Sequence, residues 1–89
     1  MKSIITVTGP DRVGIIAKVS ALLTECNVNI LDLSQTIMDK LFTMTLLVDT
    51  SKANCSFEEL RNKLDAHGNE ENLAIRIIRE DTFTAMHRI

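Results

Sequence analysis

The sequence predicts an α+β fold in which two helices cover one face of a four-stranded antiparallel sheet. The apolar runs of this 89-residue chain change period in the order strand, helix, strand, strand, helix, strand, and only Asp39 and Lys40 separate the two middle strands. Two right-handed crossovers then flank a hairpin, which is the βαββαβ order of a ferredoxin-like fold. We therefore expect the first and third strands at the centre of the sheet and the second and fourth at its edges.

The first strand and the first helix follow from local composition and spacing. Residues Ser3 to Thr8 are rich in isoleucine, valine and threonine, as strands are. From Arg12 to Cys26 the apolar residues recur at helical spacing. We expect Asp11 to cap the start of this helix and Asn27 to end it in the left-handed conformation.

The hairpin predicts its own register. Its strands run from Val28 to Met38 and from Leu41 to Asp49, and a two-residue turn places Met38 opposite Leu41. Because Asp-Lys is not a favoured primed turn, a longer loop is the alternative. The predicted pairs on the apolar face are Ile37–Phe42, Gln35–Met44, Leu33–Leu46 and Leu31–Val48, and those on the hydroxyl-lined face are Thr36–Thr43 and Ser34–Thr45.

A capping box marks the start of the second helix. Ser56 and Glu59 have the spacing at which each side chain bonds the other residue's backbone N–H. The helix is expected to end within residues 70–72, and Gly68 is expected to weaken it by about 1 kcal/mol relative to alanine. Residues 73–80 alternate in hydrophobicity and predict the last strand.

Composition limits the class of protein. The length allows one domain, residues 1–89, in which residues 80–89 form a tail with a short helical turn. The net charge of −2 favours neither nucleic acid nor an anionic membrane, and no apolar run approaches the ~20 residues of a membrane span. Cys26 and Cys55 fit no metal or redox spacing, so we expect free buried thiols, a cytoplasmic location and no cofactor.

The second strand predicts a homodimer. It is about ten residues long, is apolar on its inner face and lies at an edge, without a proline or an inward charge to protect it. Asp32, on the outer face, is its only charge before the turn. Pairing of this edge with its own copy about a two-fold axis would satisfy the strand. A monomer with a solvated edge is the alternative.

The segment TGPDRVGII, between the first strand and the first helix, is the candidate ligand-binding loop. A helix N-terminus presents free N–H groups and a partial positive charge, which suit a carboxylate. Gly14 would let a ligand approach closely, and Gly9 lies at the other end of the loop. Asn27 and Asn29 offer amide hydrogen bonds near the predicted dimer edge. Each residue also has a purely structural explanation as part of a turn or a cap.

Three other functions compete with ligand binding. A metal-binding or redox protein needs cysteine or histidine ligands close together, and the loop GPDRVG contains no cysteine. His67 and His87 stand alone in the sequence and are expected at the surface. RNA recognition needs exposed aromatic residues, whereas Phe42 and Phe57 lie on predicted core faces. Hydrolysis is the serious catalytic alternative, since Arg12 stands in the loop with which acylphosphatases, similar in length and topology, hold phosphate. The third strand, however, has no asparagine to position water.

The chain resembles an ACT domain. The resemblance is carried by the D-R-x-G-I loop, the A-x-V-S-x-L-L helix and the N-V-N-I-L-D start of the second strand. It continues through SFEELRNKL to the ending IREDTFTAMHRI, so it covers the whole chain. Relatives of this kind include the glycine cleavage system repressor and the N-terminal domain of formyltetrahydrofolate deformylase.

The resemblance implies a non-enzymatic regulatory domain that binds a small molecule, most often an amino acid, and dimerises side by side through its sheets. It also implies an unidentified protein partner, and a purely structural interaction module is the alternative. Arg12 and Val13 stand where many amino-acid-binding members have Pro-Gly, so the ligand's identity stays open. The ligand-contacting residues implied by the resemblance are Gly9, Asp11, Arg12, Val13, Gly14, Ile15, Asn27, Val28, Asn29 and Ile30.

Overall fold

Within the described part of the chain, six elements form a four-stranded sheet and two helices. The computed structural model describes residues 2–10 and 12–80, so the predicted Asp11 cap and the predicted helical turn of the tail lie outside it. The strand order β2-β3-β1-β4, antiparallel throughout, confirms the ferredoxin-like fold with β1 and β3 at the centre. The elements are β1 (Lys2–Gly9), α1 (Arg12–Glu25), β2 (Asn29–Met38), β3 (Leu41–Asp49), α2 (Phe57–Glu71) and β4 (Ala74–Arg79).

One face of the sheet and both helices enclose the core. Alternate side chains of β1 and β3 are completely buried there, and Phe42, the largest of them, is 1% exposed. Burial of each large apolar side chain stabilises the fold by about 1.5–3 kcal/mol. The other buried apolar residues are Ile5, Val7, Ile15, Val19, Leu23, Cys26, Val28, Met44, Leu46, Val48, Leu60, Leu64 and Ile77.

The β2–β3 hairpin has the predicted two-residue turn. Asp39 and Lys40 both have positive φ, 48° and 70°, as a type I′ turn requires, and the longer-loop alternative is wrong. Positive φ is unfavourable for residues with a side chain, but the twist of a type I′ turn matches that of the two strands, which favours this turn in a two-residue hairpin. The register is the predicted one from the Met38–Leu41 pair onward to Leu33–Leu46.

A β-bulge at Leu31 ends the predicted register. Asp32 pairs with Leu47 and Ile30 pairs with Val48, so the prediction that Leu31 faces Val48 is wrong. An inserted residue shifts the alternation of faces by one position. The sequence does not reveal this shift, because Ile30 and Leu31 are both apolar and either can point toward the core.

The helix ends agree with the predicted caps to within one residue. α1 ends at Glu25, one residue before the predicted end, and Asn27 has the expected left-handed backbone with φ 58°. In the capping box the Glu59 N–H donates to Ser56 Oγ at 3.1 Å and the Ser56 N–H donates to Glu59 Oε1 at 3.2 Å. α2 ends at Glu71, with Asn72 as a left-handed C-cap.

Gly68 has a packing role that its helix propensity does not show. It is buried, and a Cβ there would lie 2.9 Å from the backbone oxygen of Leu73 and 3.4 Å from Ile75 Cγ1. The missing side chain therefore lets the end of α2 lie directly against the chain that enters β4. The Leu73 N–H closes this contact with a 2.7 Å hydrogen bond to the Gly68 carbonyl.

β2 lies beyond the cover of the helices. Its partner strand β3 buries Leu46 completely, yet Leu33, directly opposite, is 37% exposed. Ile37 is 64% exposed and Met38 is 73% exposed. In the described part of the chain β2 pairs only with β3, so the second strand is the long apolar edge that the sequence predicts.

Candidate functional site

The predicted ligand-contacting residues lie at the two opposite ends of the strands of the sheet. Gly9 pairs with Phe42, which also pairs with Ile37. The candidate loop therefore lies at the end of the sheet where β2 turns into β3. Asn29 pairs with Asp49 and lies at the other end of the strands. The 14 residues of α1 span about 20 Å between these two ends, so one protomer does not bring the two groups together.

In the loop, two of the predicted residues serve packing. Ile15 is 2% exposed and belongs to the core. Gly9 is buried, and a Cβ there would collide with Leu73 Cδ2 and lie 2.9 Å from Ile15 Cδ1. These contacts give Gly9 a role in packing, although both are with the ends of flexible side chains. Val13, by contrast, is 74% exposed in the first turn of α1.

A small cavity of about 80 Å³ lies beside the first turn of α1. Lys18 of α1 and Glu71 of α2 form an ion pair at this cavity and join the two helices. Arg12 is the first residue of α1, and its side chain lies outside the described part, so the acylphosphatase-like alternative stays a prediction. The cavity is lined by Pro10, Gly14, Ile15, Lys18, Glu71 and Leu73.

The other predicted group lies on a larger cleft, which we call the edge cleft. It has a volume of about 420 Å³ and opens where α1 ends and β2 begins. Of the predicted residues 27–30, the first three line this cleft, whereas Ile30 packs against the core. The edge cleft is lined by Thr24, Asn27, Val28, Asn29, Asp49, Ser51 and Lys52.

Backbone hydrogen bonds shape one wall of the edge cleft. The Asn27 N–H donates to the Thr24 carbonyl at 3.0 Å and the Val28 N–H donates to the Leu23 carbonyl at 2.9 Å, which reverses the chain after α1. The side-chain amide of Asn27 then donates to the Lys52 carbonyl at 2.7 Å. The end of α1 is thereby tied to the loop that follows β3.

The edge cleft carries groups of both charges. The Asp49 carboxylate accepts a 2.9 Å hydrogen bond from the Ser51 N–H, and this bond is the main reason that the pKa of Asp49 lies below its usual range. Asp49 is therefore ionised at neutral pH. Lys52, an exposed residue three positions further on, lines the same cleft. The arrangement suits a ligand that has both a cationic and an anionic group.

Sequence reasoning missed the side of the edge cleft that β3 and its following loop provide. Asp49, Ser51 and Lys52 lie there and were not among the predicted ligand residues. The predicted register places Ile30, not Asn29, opposite Asp49; the bulge brings Asn29 to that position. A signal was present in the D-T-S-K segment, where aspartate two residues before serine favours a turn closed by the aspartate side chain.

The structure places several residues on which the competing functions depend. Residues 2–10 and 12–80 contain no group of three His, Cys, Asp or Glu side chains placed to hold a metal ion. Phe42 is buried and Phe57 packs against the core, as predicted. His67, predicted at the surface, is instead half-buried, with Nε2 buried. No helix in this part of the chain is long and apolar enough to span a membrane.

Comparison with known sequences identifies the family. Residues 3–77 match the model of the ACT domain. A UPF0237 protein of Clostridium acetobutylicum is 48% identical over 89 residues, which is all of both chains. A UPF0237 protein of Methanocaldococcus jannaschii is 48% identical over 86 residues, 97% of this chain and 96% of the relative. The chain belongs to the ACT-domain family, as its loop and hairpin motifs indicated.

Solved structures agree with this assignment. An ACT domain protein from Streptococcus pneumoniae has a TM-score of 0.80 and 39% identity, and the match covers 100% of this chain and 97% of that one. A formyltetrahydrofolate deformylase from Pseudomonas syringae (TM-score 0.77, 26% identity) matches 88% of this chain but 27% of its own. A protein described as a glycine cleavage system transcriptional repressor has a TM-score of 0.75 and 28% identity, and the match covers 86% of this chain and 44% of that one. These neighbours support a regulatory ACT domain.

Proposed function

We propose that this chain is a single, non-enzymatic ACT domain that binds an amino acid as a homodimer in the cytoplasm and signals to a protein partner. The observation that carries the proposal is the edge cleft, which combines Asn27 and Asn29 of the predicted site with the charged residues Asp49 and Lys52. Family membership supports the regulatory role.

An amino acid complements the polar groups of the edge cleft. Its ammonium group suits the ionised Asp49 carboxylate, and its carboxylate suits the Lys52 ammonium. The Asn29 side chain, exposed at the start of β2, offers both a donor and an acceptor. A cleft of about 420 Å³ also accommodates a side chain beyond the two charged groups.

Pairing of β2 with a second copy would cover the apolar edge. Leu33, Ile37 and Met38 are exposed along a strand of ten residues. The Leu33 N–H already donates to the Asp32 carboxylate at 2.8 Å. In a pairing of β2 with a second copy, this N–H would either donate to a carbonyl of that copy instead or lie between the hydrogen bonds that join the two strands. Burial of the exposed apolar side chains offsets that change.

The same two-fold pairing would unite the two separated halves of the predicted site. Antiparallel self-pairing places the start of β2, at Asn29, beside the end of β2 of the second copy. That end of β2 lies beside the β2–β3 turn, at the same end of the sheet as the candidate loop and the first turn of α1 with Gly14. The N–H groups at the start of this helix would then face the edge cleft of the other copy and favour the ligand's carboxylate.

Thermal unfolding in the presence of each of the twenty amino acids tests the ligand. An amino acid present at about a hundredfold excess over its dissociation constant stabilises the folded protein by about 2.7 kcal/mol. For a domain of this size we expect a rise in Tm on the order of 10 °C. The absence of a shift with every amino acid would contradict the proposal.

Two matched variants locate the binding site. Asn29→Ala removes an exposed amide from the edge cleft and is expected to reduce the ligand-induced shift. Asn69→Ala removes the same group from an exposed position of α2 and is expected to leave the shift unchanged. Equal shifts in the two variants would place the ligand elsewhere.

A further inference from the structure

The fold brings together two cysteines that lie far apart in the sequence. Cys26 directly follows α1 and is 1% exposed, whereas Cys55 directly precedes the N-cap of α2 and is half-buried. Asn54 connects the two segments: its N–H donates to the Cys26 carbonyl at 3.0 Å and its side-chain amide donates to the Glu25 carbonyl at 2.9 Å. Backbone contacts thus fix the two thiol-bearing segments side by side.

The two cysteines share a neighbouring cation. Lys63 Nζ, from α2, donates to the Cys26 sulfur at 3.8 Å, and its charge also acts on Cys55. Both thiols are free, and no metal-binding group of three side chains includes them in the described part of the chain. Two thiols on adjacent segments, one of them beside a cation, are the reactants of a disulfide.

We propose that Cys26 and Cys55 are a redox-modification site that forms a reversible disulfide by exchange with a low-molecular-weight disulfide. The more accessible Cys55, as thiolate, attacks one sulfur of the external disulfide and releases one thiolate. The Cys26 sulfur, having lost its proton, then attacks Cys55 and releases the second thiolate. The protein loses two protons and two electrons, and the external disulfide becomes two thiols.

Lys63 has a defined part in the second step. Negative charge builds on the Cys26 sulfur as it loses its proton, and the Lys63 ammonium at 3.8 Å offsets that charge. The charged and titratable groups that face Cys55 are Cys26, Lys63 and Glu59. Burial, followed by the influence of Cys26, raises the pKa of Cys55, so the first step should accelerate as the pH rises above neutral.

The disulfide would act directly on the edge cleft. Cys26 immediately precedes Asn27, whose side chain closes one wall of the cleft. A covalent bond to Cys55 would fix this wall to the segment that enters α2 and would restrict the unfolded chain. We therefore expect oxidation to raise the Tm of the protein.

Intact-mass measurement after incubation with glutathione disulfide tests the proposal. The wild-type chain should lose two hydrogen atoms, whereas Cys26→Ser should retain one glutathione on Cys55. Lys63→Gln, at an exposed position, should accumulate the glutathione adduct before closure. Circular dichroism checks that each variant is folded, and Cys26→Ala replaces Cys26→Ser if that variant is not.

The wild-type result alone decides the proposal. A folded wild-type chain that stays reduced, retains glutathione or forms only disulfides between chains would overturn it. An equal rate of closure in Lys63→Gln and wild type would remove Lys63 from the reaction. None of these results depends on an amino acid ligand.

Discussion

The side-chain amide of Asn27 lies 2.7 Å from the carbonyl oxygen of Lys52 and donates a hydrogen bond to it. Asn27 also has a left-handed backbone, with φ 58°, at the point where the chain leaves α1. One residue therefore reverses the chain and ties the end of α1 to the loop after β3. Asparagine suits both tasks, because it tolerates the left-handed region and its side chain carries a donor.

Asn27→Ala should destabilise the fold by about 1–3 kcal/mol, because it loses the hydrogen bond to Lys52 and places a Cβ-bearing residue without local compensation at positive φ. Asn27→Gly is the matched control, since it loses the same hydrogen bond but accepts positive φ without strain. Its cost should be about 1 kcal/mol or less. Urea unfolding measures both, and a glycine variant less stable than the alanine variant would contradict this account.

Gly68→Ala should also destabilise the protein, although alanine is the better helix former by about 1 kcal/mol. The new Cβ would lie 2.9 Å from the Leu73 carbonyl oxygen, and a backbone atom does not move aside as a flexible side chain does. We expect a net cost of about 1–3 kcal/mol from this overpacking. Asn69→Ala, next in the helix and exposed, should be neutral or slightly stabilising in the same denaturant titration.

The fold was predictable because its signals are local and agree with one another. The two-residue turn and the alternation of apolar residues fix the β2–β3 register from Leu41 to Leu46, and Ser56 with Glu59 fixes the start of α2. Gly68 shows the limit of such signals. Its propensity is visible in the sequence, but its contact with Leu73 depends on how α2 and β4 meet.

The edge cleft and the cysteine pair were only partly predictable, because they depend on contacts between distant segments. Asn27 and Asn29 were identified from helix-end chemistry and the family resemblance, but the charged side of the cleft depends on a bulge that brings Asn29 opposite Asp49. The proximity of Cys26 and Cys55 depends on how the loop before α2 folds back to α1. No spacing rule along the chain reveals it.

The ion pair between Lys18 and Glu71 should make stability depend on pH. The hydrogen bond from Lys18 is the main cause that lowers the pKa of Glu71 in the folded state. A carboxylate with a lowered folded pKa stabilises the protein above its unfolded pKa, about 4.3, and loses that contribution as the pH falls through the folded value. The Tm difference between wild type and Glu71→Gln should therefore be present at neutral pH and disappear in acid. A difference that persists in acid would show that the carboxylate's charge is not the cause.

The proposed dimer makes opposite predictions for two neighbouring residues of β2. Ile37, on the inner face, is 64% exposed in the single chain, and Thr36 is exposed on the outer face. Ile37→Lys should shift the protein from dimer to monomer at tens of micromolar, because a two-fold interface loses two apolar side chains, each contributing about 1.5–3 kcal/mol when buried. Thr36→Lys adds the same charge one residue away and should leave the dimer intact. Light scattering gives the mass of each variant, and thermal unfolding confirms that both are folded. A wild-type monomer, or dissociation by Thr36→Lys but not by Ile37→Lys, would contradict pairing through the inner face of this edge.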